Sequence, residues 1–487
     1  MQGHRHGAAV AAQPEVAAAS ARAPRLVAIV GGGFSGTAVA CQLLRLEQRQ
    51  PLRIVIVEPR AELGAGVAYA TRDYPYPLNV AAGQMSLDTS RPGDFLEFLA
   101  GQGIQAAPSD YLPRQVYGDY LRTRLQSARA AAPAHVHCVH QAARALQLRR
   151  ATDGRWDLWL DDGTALRADD VVLALGNAAP ACPPQLQAIA RTPFYERDPW
   201  SIGRFAHEEI ASVLLVGSGL TMVDAALRLA AIRPRVRHIH VLSRHGLLPL
   251  PQATLEKPAI NPDVGAALAA ATGSTRALVA TFRELVREVD DAGGDWREVL
   301  VRARQWLPSQ WRALDAAQRA RFLRHARAVW DVHRHRAPAG PLGAVRALEN
   351  LGVLEVHAGR LEQVTAVDDA VEVIWRPRGA TRSRAWLVER VINCTGPEGR
   401  VTEVDDSLLQ SLLAAGLVRS DPHGLGIDVA DDGRVIARDG SPVESLYYIG
   451  PWLRARDWEA TAVPELREHA KALARTLVEL PARSMTC

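Results

Sequence analysis

Three glycines in one short turn set the first chemistry this chain can host. Gly31, Gly33 and Gly36 follow the apolar run Arg25–Val30 and open an apolar helical stretch from about Ser35 to Leu46. At G-x-G-x-x-G spacing, the first glycine permits a tight turn and the second lets backbone approach a pyrophosphate. The third lets the helix pack close to the sheet. A helix start also offers unpaired N–H groups and a positive dipole end to phosphate. Phe34 and Ser35 lie between the last two glycines and share that position. Glu58 stands 22 residues beyond Gly36, just after the apolar run Leu52–Val57. A carboxylate there accepts hydrogen bonds from both ribose hydroxyls of an adenosine.

A second constellation repeats the plan with one change of sign. The strand Val213–Val216 leads into Gly217-Ser218-Gly219, and a helix runs from Leu220, through Thr221, to Ala231. Met222 stands where a third glycine would fall. The next strand, His238–Leu242, ends in Ser243-Arg244 and not in an acid. A ribose 2′-phosphate is repelled by a carboxylate and held by a guanidinium. The contrast with Glu58 points to FAD in the first site and NADPH in the second. The plainer alternative leaves Arg244 as a solvated surface residue.

The elements that must carry these turns form an α/β chain with two Rossmann-like dinucleotide-binding domains and a helical insert. Each turn sits in a βαβ unit whose continuous apolar strands suit a parallel sheet. The expected layout is a flexible leader at 1–24, an FAD-binding domain over 25–200, and an NADP-binding domain from 201 to 262. A helical insert over 263–340 follows. The NADP domain returns over 341–385, and the FAD domain closes the chain over 386–487. Gly-ended strands at Val171–Gly176 and Val391–Gly396 are expected to join the two domains near the cofactors. A closing helix is expected from about Pro464 to Leu480, Pro suiting a first helical turn.

Composition narrows the rest. The chain has 487 residues, 57 basic against 53 acidic, with 48% hydrophobic residues. Its small positive surplus is no argument for a nucleic-acid partner. No apolar run is long enough for a membrane span. The five cysteines show neither C-x-x-C pairing nor metal-ligand spacing, so no disulfide reductase centre and no metal site are expected. Scattered unpaired thiols suit a reducing, cytoplasmic setting.

Together these stretches resemble the FAD/NAD(P)-binding oxidoreductases of the glutathione-reductase-like fold. More closely they resemble a bacterial subfamily related to flavin-dependent N-hydroxylating monooxygenases. The matching stretches are Val30–Gly36, Gly64–Tyr69, Leu78–Val80 with Met85-Ser86, and Pro113–Gly118. They continue with Gly219–Asp224, Ser243–Pro249, His333–Arg336 and Trp458–Arg467, so the likeness covers roughly residues 25–475. It implies that Asn79 to Ser86, Met85 included, runs beside the flavin, and that Arg114 and Tyr117 lie near the FAD or the cofactor cleft. It further implies that Thr395, Gly396, Gly450, Thr461 and Ala462 line the flavin. One departure matters. Baeyer–Villiger monooxygenases carry a Phe-x-Gly-x-x-x-His linker, whereas Phe194–Trp200 here has neither that glycine nor that histidine, which disfavours ketone oxygenation.

The leading expectation is an NADPH-consuming flavoprotein monooxygenase that oxygenates an amine or other small nucleophile through a flavin hydroperoxide, its small-molecule substrate being an amine or amino acid. The cofactor carries the chemistry, so no catalytic side chain is assigned. The alternatives are an NAD(P)H dehydrogenase with a non-oxygen acceptor and a non-enzymatic flavin-bearing sensor or scaffold. The insert crowds Arg321, Arg324, His325, Arg327, His333, Arg334, His335 and Arg336 into 16 residues. They make either an electropositive lid over NADPH or an acidic substrate, or a solvated helix face.

Overall fold

Continuous apolar strands flanked by helices build two separate parallel-cored sheets in the computed structural model, which describes residues 24–48, 50–232, 236–253 and 260–479. Apart from Pro24, the expected leader lies outside the described residues, as does the end of the closing helix at Leu480. The first sheet has six strands. At its centre Arg25–Val30 pairs in parallel with Leu52–Val57 on one side and Asp170–Leu173 on the other. Val136–Gln141 and Pro442–Tyr448 extend it in parallel, and Arg434–Ile436 closes one edge antiparallel. Val27, Ile29, Ile54 and Ile56 are buried under the helix Phe34–Arg45 and the closing helix Val463–Glu479. On the opposite face Ala28, Val30, Val55 and Val57 meet a small antiparallel sheet built on Trp156–Leu160. Burial on both faces accounts for the unbroken apolar strands.

The second sheet has seven strands. Ser212–Val216 lies between His238–Ser243 and Arg390–Asn393, both parallel to it. Leu354–Val367 adds in parallel, then turns back through Ala370–Pro377 and Arg384–Val388 as an antiparallel meander. Two short strands fall in this sheet although the expected boundaries put them with the FAD domain. Tyr195–Glu196 pairs with Arg390–Asn393, and Val391 and Ile392 pair with Leu214 and Leu215. Elements of two to four residues carry too little pattern to reveal which sheet they join.

The stretch from 264 to 334 is helical, as its periodicity predicts, and is broken into six helices from Val264–Ala270 to Arg327–Arg334. It packs on the closing part of the chain. Trp311 stacks 4.8 Å from Trp458 and donates its indole N–H to Ala455 O at 3.0 Å. Phe322 meets Trp458 edge-on at 5.1 Å, and the Arg454 guanidinium lies 3.9 Å from the same ring. Among the described residues no helix is long and apolar enough to cross a membrane.

Candidate functional site

The first turn is built around bare backbone. Gly31 has φ +108°, and a Cβ there would lie 2.2 Å from Ala174 O. A Cβ on Gly36 would lie 1.9 Å from Gly31 O, so the helix rests directly on the turn. Gly33 caps that helix in extended conformation, and a Cβ on it would meet only Gly66 Cα, at 3.5 Å. Gly33 and Gly66 thus face each other across a strip without side chains. Phe34 and Ser35 begin the helix and are buried.

Glu58 closes this site from the end of the neighbouring strand. It is 5% exposed. Its Oε2 accepts Gly32 N–H at 2.9 Å, and its Oε1 accepts the Arg60 N–H at 3.1 Å and guanidinium at 3.0 Å. These bonds fix the carboxylate's direction and leave acceptor capacity on both oxygens. Gly32 was not singled out from the sequence, yet a Cβ on it would strike Leu63 Cδ2 at 2.4 Å and Glu58 Cβ at 2.9 Å. It keeps the turn flat against the acid.

The second turn repeats the geometry. Gly217 has φ +112°, and a Cβ there would lie 2.4 Å from Cys394 O. Gly219 caps the helix Leu220–Ala231 in the same extended conformation as Gly33, with nothing within 4 Å of where its Cβ would be. Leu220 and Thr221 form the first turn of that helix and are half-buried. Ser218 Oγ donates to Leu247 O at 2.6 Å and lies 2.8 Å from Ser243 Oγ, which also accepts Gly246 N–H at 3.0 Å. Ser243 therefore ties the turn to the 243–247 loop, and Arg244 projects from that loop exposed.

The residues placed at the flavin by resemblance are distributed as follows. Asn79 is half-buried, and its carbonyl accepts Gln252 Nε2–H at 3.2 Å. Met85 is 1% exposed and packs inward, its N–H bonded to Ala82 O. Thr395 Oγ1–H and N–H both bond Asn393 Oδ1, at 2.7 and 3.1 Å. Gly396, at φ +88°, and Gly176, at φ +71°, have no atom within 4 Å of a would-be Cβ. Gly450, at φ +147°, would bring a Cβ to 2.8 Å from Tyr448 Oη and 3.8 Å from Gly176 N. Thr461 and Ala462 lead into the closing helix, and Ala462 O accepts Leu466 N–H at 3.0 Å. Tyr117 is fully buried, 6.4 Å from Phe34 and edge-on to Tyr69 and Phe95, so it backs the first turn from the core side.

Arg114 bridges the layers of the two sheets. Its Nη2–H donates to Asp224 Oδ2 at 2.7 Å, and its Nε–H to Pro77 O at 3.1 Å. The guanidinium stacks 4.9 Å from Trp200. Asp224 belongs to the helix after the second turn. Burial pushes its carboxyl up to about 6, against the opposing pull of Arg114. Arg228, one helical turn on, pairs with Asp73 at 3.2 Å. Neither bridge was legible in the sequence, because the partners are 110 and 155 residues apart.

The Arg/His cluster splits in two. Arg321, Arg324 and His325 are exposed. Arg334 is instead neutralised, its Nε 2.8 Å from Glu459 and its Nη2 3.4 Å from Glu465 at the start of the closing helix. Trp330 Nε1–H also bonds Glu459, at 2.7 Å, and Arg304 pairs with Glu465. Burial lowers His335 to about 4; Asp331 opposes this, while Arg334, Arg454 and Arg327 reinforce it.

The fold also gathers His240, Glu355 and His357, whose ligand atoms all lie within 4.8 Å of one another. His240 pairs in register with Glu355, and Glu355 and His357 share a face by strand alternation. Both rings also pack on Trp386, at 4.7 and 4.8 Å. No spacing in the sequence announces this group, since it spans two strands.

With that geometry in place, the comparisons agree with it. Residues 28–178 match the family model described as FAD-NAD(P)-binding; this part of the chain is an FAD-NAD(P)-binding domain. An uncharacterised protein of Mycobacterium tuberculosis is 24% identical over 91% of this chain and 94% of its own. The FAD-bound cadaverine monooxygenase of Erwinia amylovora superposes with a TM-score of 0.64 at 12% identity, covering 94% of this chain and 98% of that one. An ornithine N-hydroxylase of Kutzneria, solved with reduced FAD, NADP+ and L-ornithine, superposes with a TM-score of 0.62 at 14% identity, covering 93% and 99%. The fold is therefore the α/β architecture with two parallel-cored sheets that these solved structures share.

Proposed function

We propose that this chain is an FAD- and NADPH-dependent monooxygenase that oxygenates the nitrogen of a small amine. The carrying observation is the pair of glycine turns, each on its own parallel sheet, one facing a buried acid and the other an exposed arginine. The residues fit FAD at the first turn. The bare strip between Gly33 and Gly66 takes the diphosphate, and Glu58 accepts the adenosine ribose. The open backbone at Gly176 and Gly396 leaves room for the ring system. Thr461, Ala462 and the start of the closing helix would hold the ring, where a helix N-terminus favours negative charge. Gly217, Gly219, Leu220, Thr221 and Ser243 hold NADPH, with Arg244 on its 2′-phosphate.

FAD held at the first turn would supply the two-electron redox chemistry between NADPH and O2. The overall balance is R–NH2 + O2 + NADPH + H+ → R–NHOH + H2O + NADP+. The chain's own residues bind, orient and exclude water. Arg114 and Asp224 keep the two sheets in fixed relation, and the insert's helices cover the closing segment. The fold serves ornithine in one solved neighbour and cadaverine in another, which supports an amine substrate here.

Rapid mixing of the NADPH-reduced holoprotein with O2 tests the reading. Oxidised-flavin absorbance that returns in two phases, with slow peroxide release, supports an oxygenase. A single fast phase with stoichiometric peroxide identifies a dehydrogenase. Failure of NADPH to reduce the flavin at all leaves a non-enzymatic flavoprotein.

A further inference from the structure

Two imidazoles on the second sheet each keep a buried ring nitrogen that forms no hydrogen bond, His240 Nδ1 and His357 Nε2. His140 and His333, by contrast, each spend a ring nitrogen on a backbone carbonyl, Glu58 O at 2.8 Å and Val329 O at 2.7 Å. His240 lies on the strand His238–Ser243 and His357 on its parallel neighbour Leu354–Val367. Trp386 stacks on His240 at 4.7 Å with 12° between the planes, and it meets His357 at 4.8 Å. Trp375 packs on His357 as well, at 5.2 Å. The indoles fix where the rings sit. They offer no acceptor or lone pair to the orphaned nitrogens, because an indole N–H is a donor only.

Glu355 adds a third donor on the same face. Its Oε2 lies 3.3 Å from His357 Nε2, without hydrogen-bond geometry between them. That separation is the edge of a tetrahedron around zinc, about 3.3 Å for bonds of about 2.0–2.1 Å. The ligand atoms of all three residues fall within 4.8 Å of one another, so a gap of about 1.5 Å at most remains for side-chain rotation to close. The Glu355 side chain is 60% exposed against 20% for His357, which leaves an approach from solvent on the carboxylate's side. Burial lowers both imidazoles. The His357 ring adds to this at His240, and Glu355 opposes it at both. Each ring is therefore neutral at pH 7, the form that ligates metal. The neighbouring bases are His238 beside His240 and Arg384 beside His357, and Glu355 is the carboxylate that offsets them.

We propose that His240, Glu355 and His357 bind one divalent transition ion of the zinc class, with water as the fourth ligand. Two imidazoles and one carboxylate suit such an ion, whereas Mg2+ and Ca2+ take sets made of oxygen alone. The ion clips the strand His238–Ser243 to Leu354–Val367, and zinc has no redox chemistry of its own, so it takes no part in electron transfer. Its ligands precede Ser243 and Arg244 along the first of these strands, and the site does not depend on which dinucleotide the second turn accepts. The five cysteines gave no sign of it, because the donors are histidine and glutamate on two strands that only the sheet brings together.

The test uses the purified protein, stripped by a chelator and keeping whatever flavin it carries. Zn2+ alone is titrated by calorimetry, and Co2+ alone by visible difference absorbance. His4 and His6 near the start of the chain can also hold an ion, so the count is read as a difference between the unmodified chain and the double variant His240→Gln, His357→Gln. The unmodified chain is expected to bind one more Zn2+ than the double variant. Its Co2+ difference spectrum should show the intense bands of a tetrahedral site, absent from the variant. Glu355→Gln should weaken Zn2+ at this site at least about tenfold, since outer-shell partners alone are worth that much. Its side chain is exposed, so this variant decides the matter if the double variant does not fold. Zn2+ should also raise the Tm of the unmodified chain and leave that of the variants unchanged. The proposal is overturned if the unmodified chain and the double variant bind Zn2+ in equal number and affinity, or if Glu355→Gln keeps full affinity. Bound Co2+ that shows only the weak bands of an octahedral ion overturns it as well.

Discussion

The two glycine turns share a backbone plan and part company at two positions. Gly31 and Gly217 take nearly the same positive φ, and each lies under a carbonyl from a neighbouring strand, Ala174 O or Cys394 O. Gly33 and Gly219 cap their helices with nearly equal dihedrals. At the third position Gly36 lets its helix touch Gly31 O, while Met222 fills the equivalent place and is buried with Ile202 and Phe205. At the end of the following strand one turn meets a buried, doubly anchored carboxylate and the other an exposed guanidinium. On the proposed function, the shared part would hold a diphosphate at each turn. The differing part would set which dinucleotide each accepts, FAD against the buried acid and NADPH at the exposed arginine.

Substitutions can break that comparison, and the largest effect is expected at Gly33. Its Cβ direction points only at Gly66, so Gly33→Val fills the diphosphate strip without striking the core. FAD content of the purified protein should fall to near zero with the fold retained by circular dichroism; stoichiometric FAD would remove the first turn from its role. Next comes Glu58→Gln, which loses the charged ribose acceptor. FAD should weaken by about 1.5–3 kcal/mol, measured by fluorescence on apoprotein reconstitution, while NADPH affinity changes far less. Arg244→Ala should weaken NADPH by about 1.5–3 kcal/mol and spare NADH. Equal loss for both coenzymes would leave Arg244 as a solvated surface residue.

The remaining prediction concerns how the two halves are held together. Because burial raises the Asp224 carboxyl to about 6, the folded protein holds that proton more tightly than the unfolded chain. Stability from this group is therefore present at low pH and is lost as pH rises from about 4 to 6. The loss is on the order of 3 kcal/mol. Asp224→Asn, neutral throughout, should remove this component from denaturant-derived stability while lowering stability overall by unpairing Arg114. His335 works in the opposite sense. With its imidazole lowered to about 4, its contribution is present above about 6.5 and is lost as pH falls towards 4. An unchanged pH slope in Asp224→Asn would contradict the buried bridge.

The legible parts of the molecule are those whose physics is local. The strands Arg25–Val30 and Leu52–Val57 and the helix Leu220–Ala231 have the bounds their apolar patterns predict, because strand, turn and helix signals sit side by side. Glu58 was legible for the same reason: a strand's length fixes where its last residue stands. Long-range pairing was not legible. Arg334 reads as a free cation until the fold brings Glu459, 125 positions away, to its Nε. Gly32 reads as filler until the fold sets Leu63 and Glu58 against it. Gln252 has no local signal at all, and only the fold brings it against Arg336 and Asn79 together.

The central claim is that one chain holds two different dinucleotides at two turns of one design. Anaerobic titration of the purified protein, followed by flavin absorbance, tests it most directly. The account predicts one FAD per chain, bleached by a single equivalent of NADPH, with NADH needing at least tenfold higher concentration. Protein that carries no FAD, or FAD that NADPH and NADH bleach equally well, would contradict it.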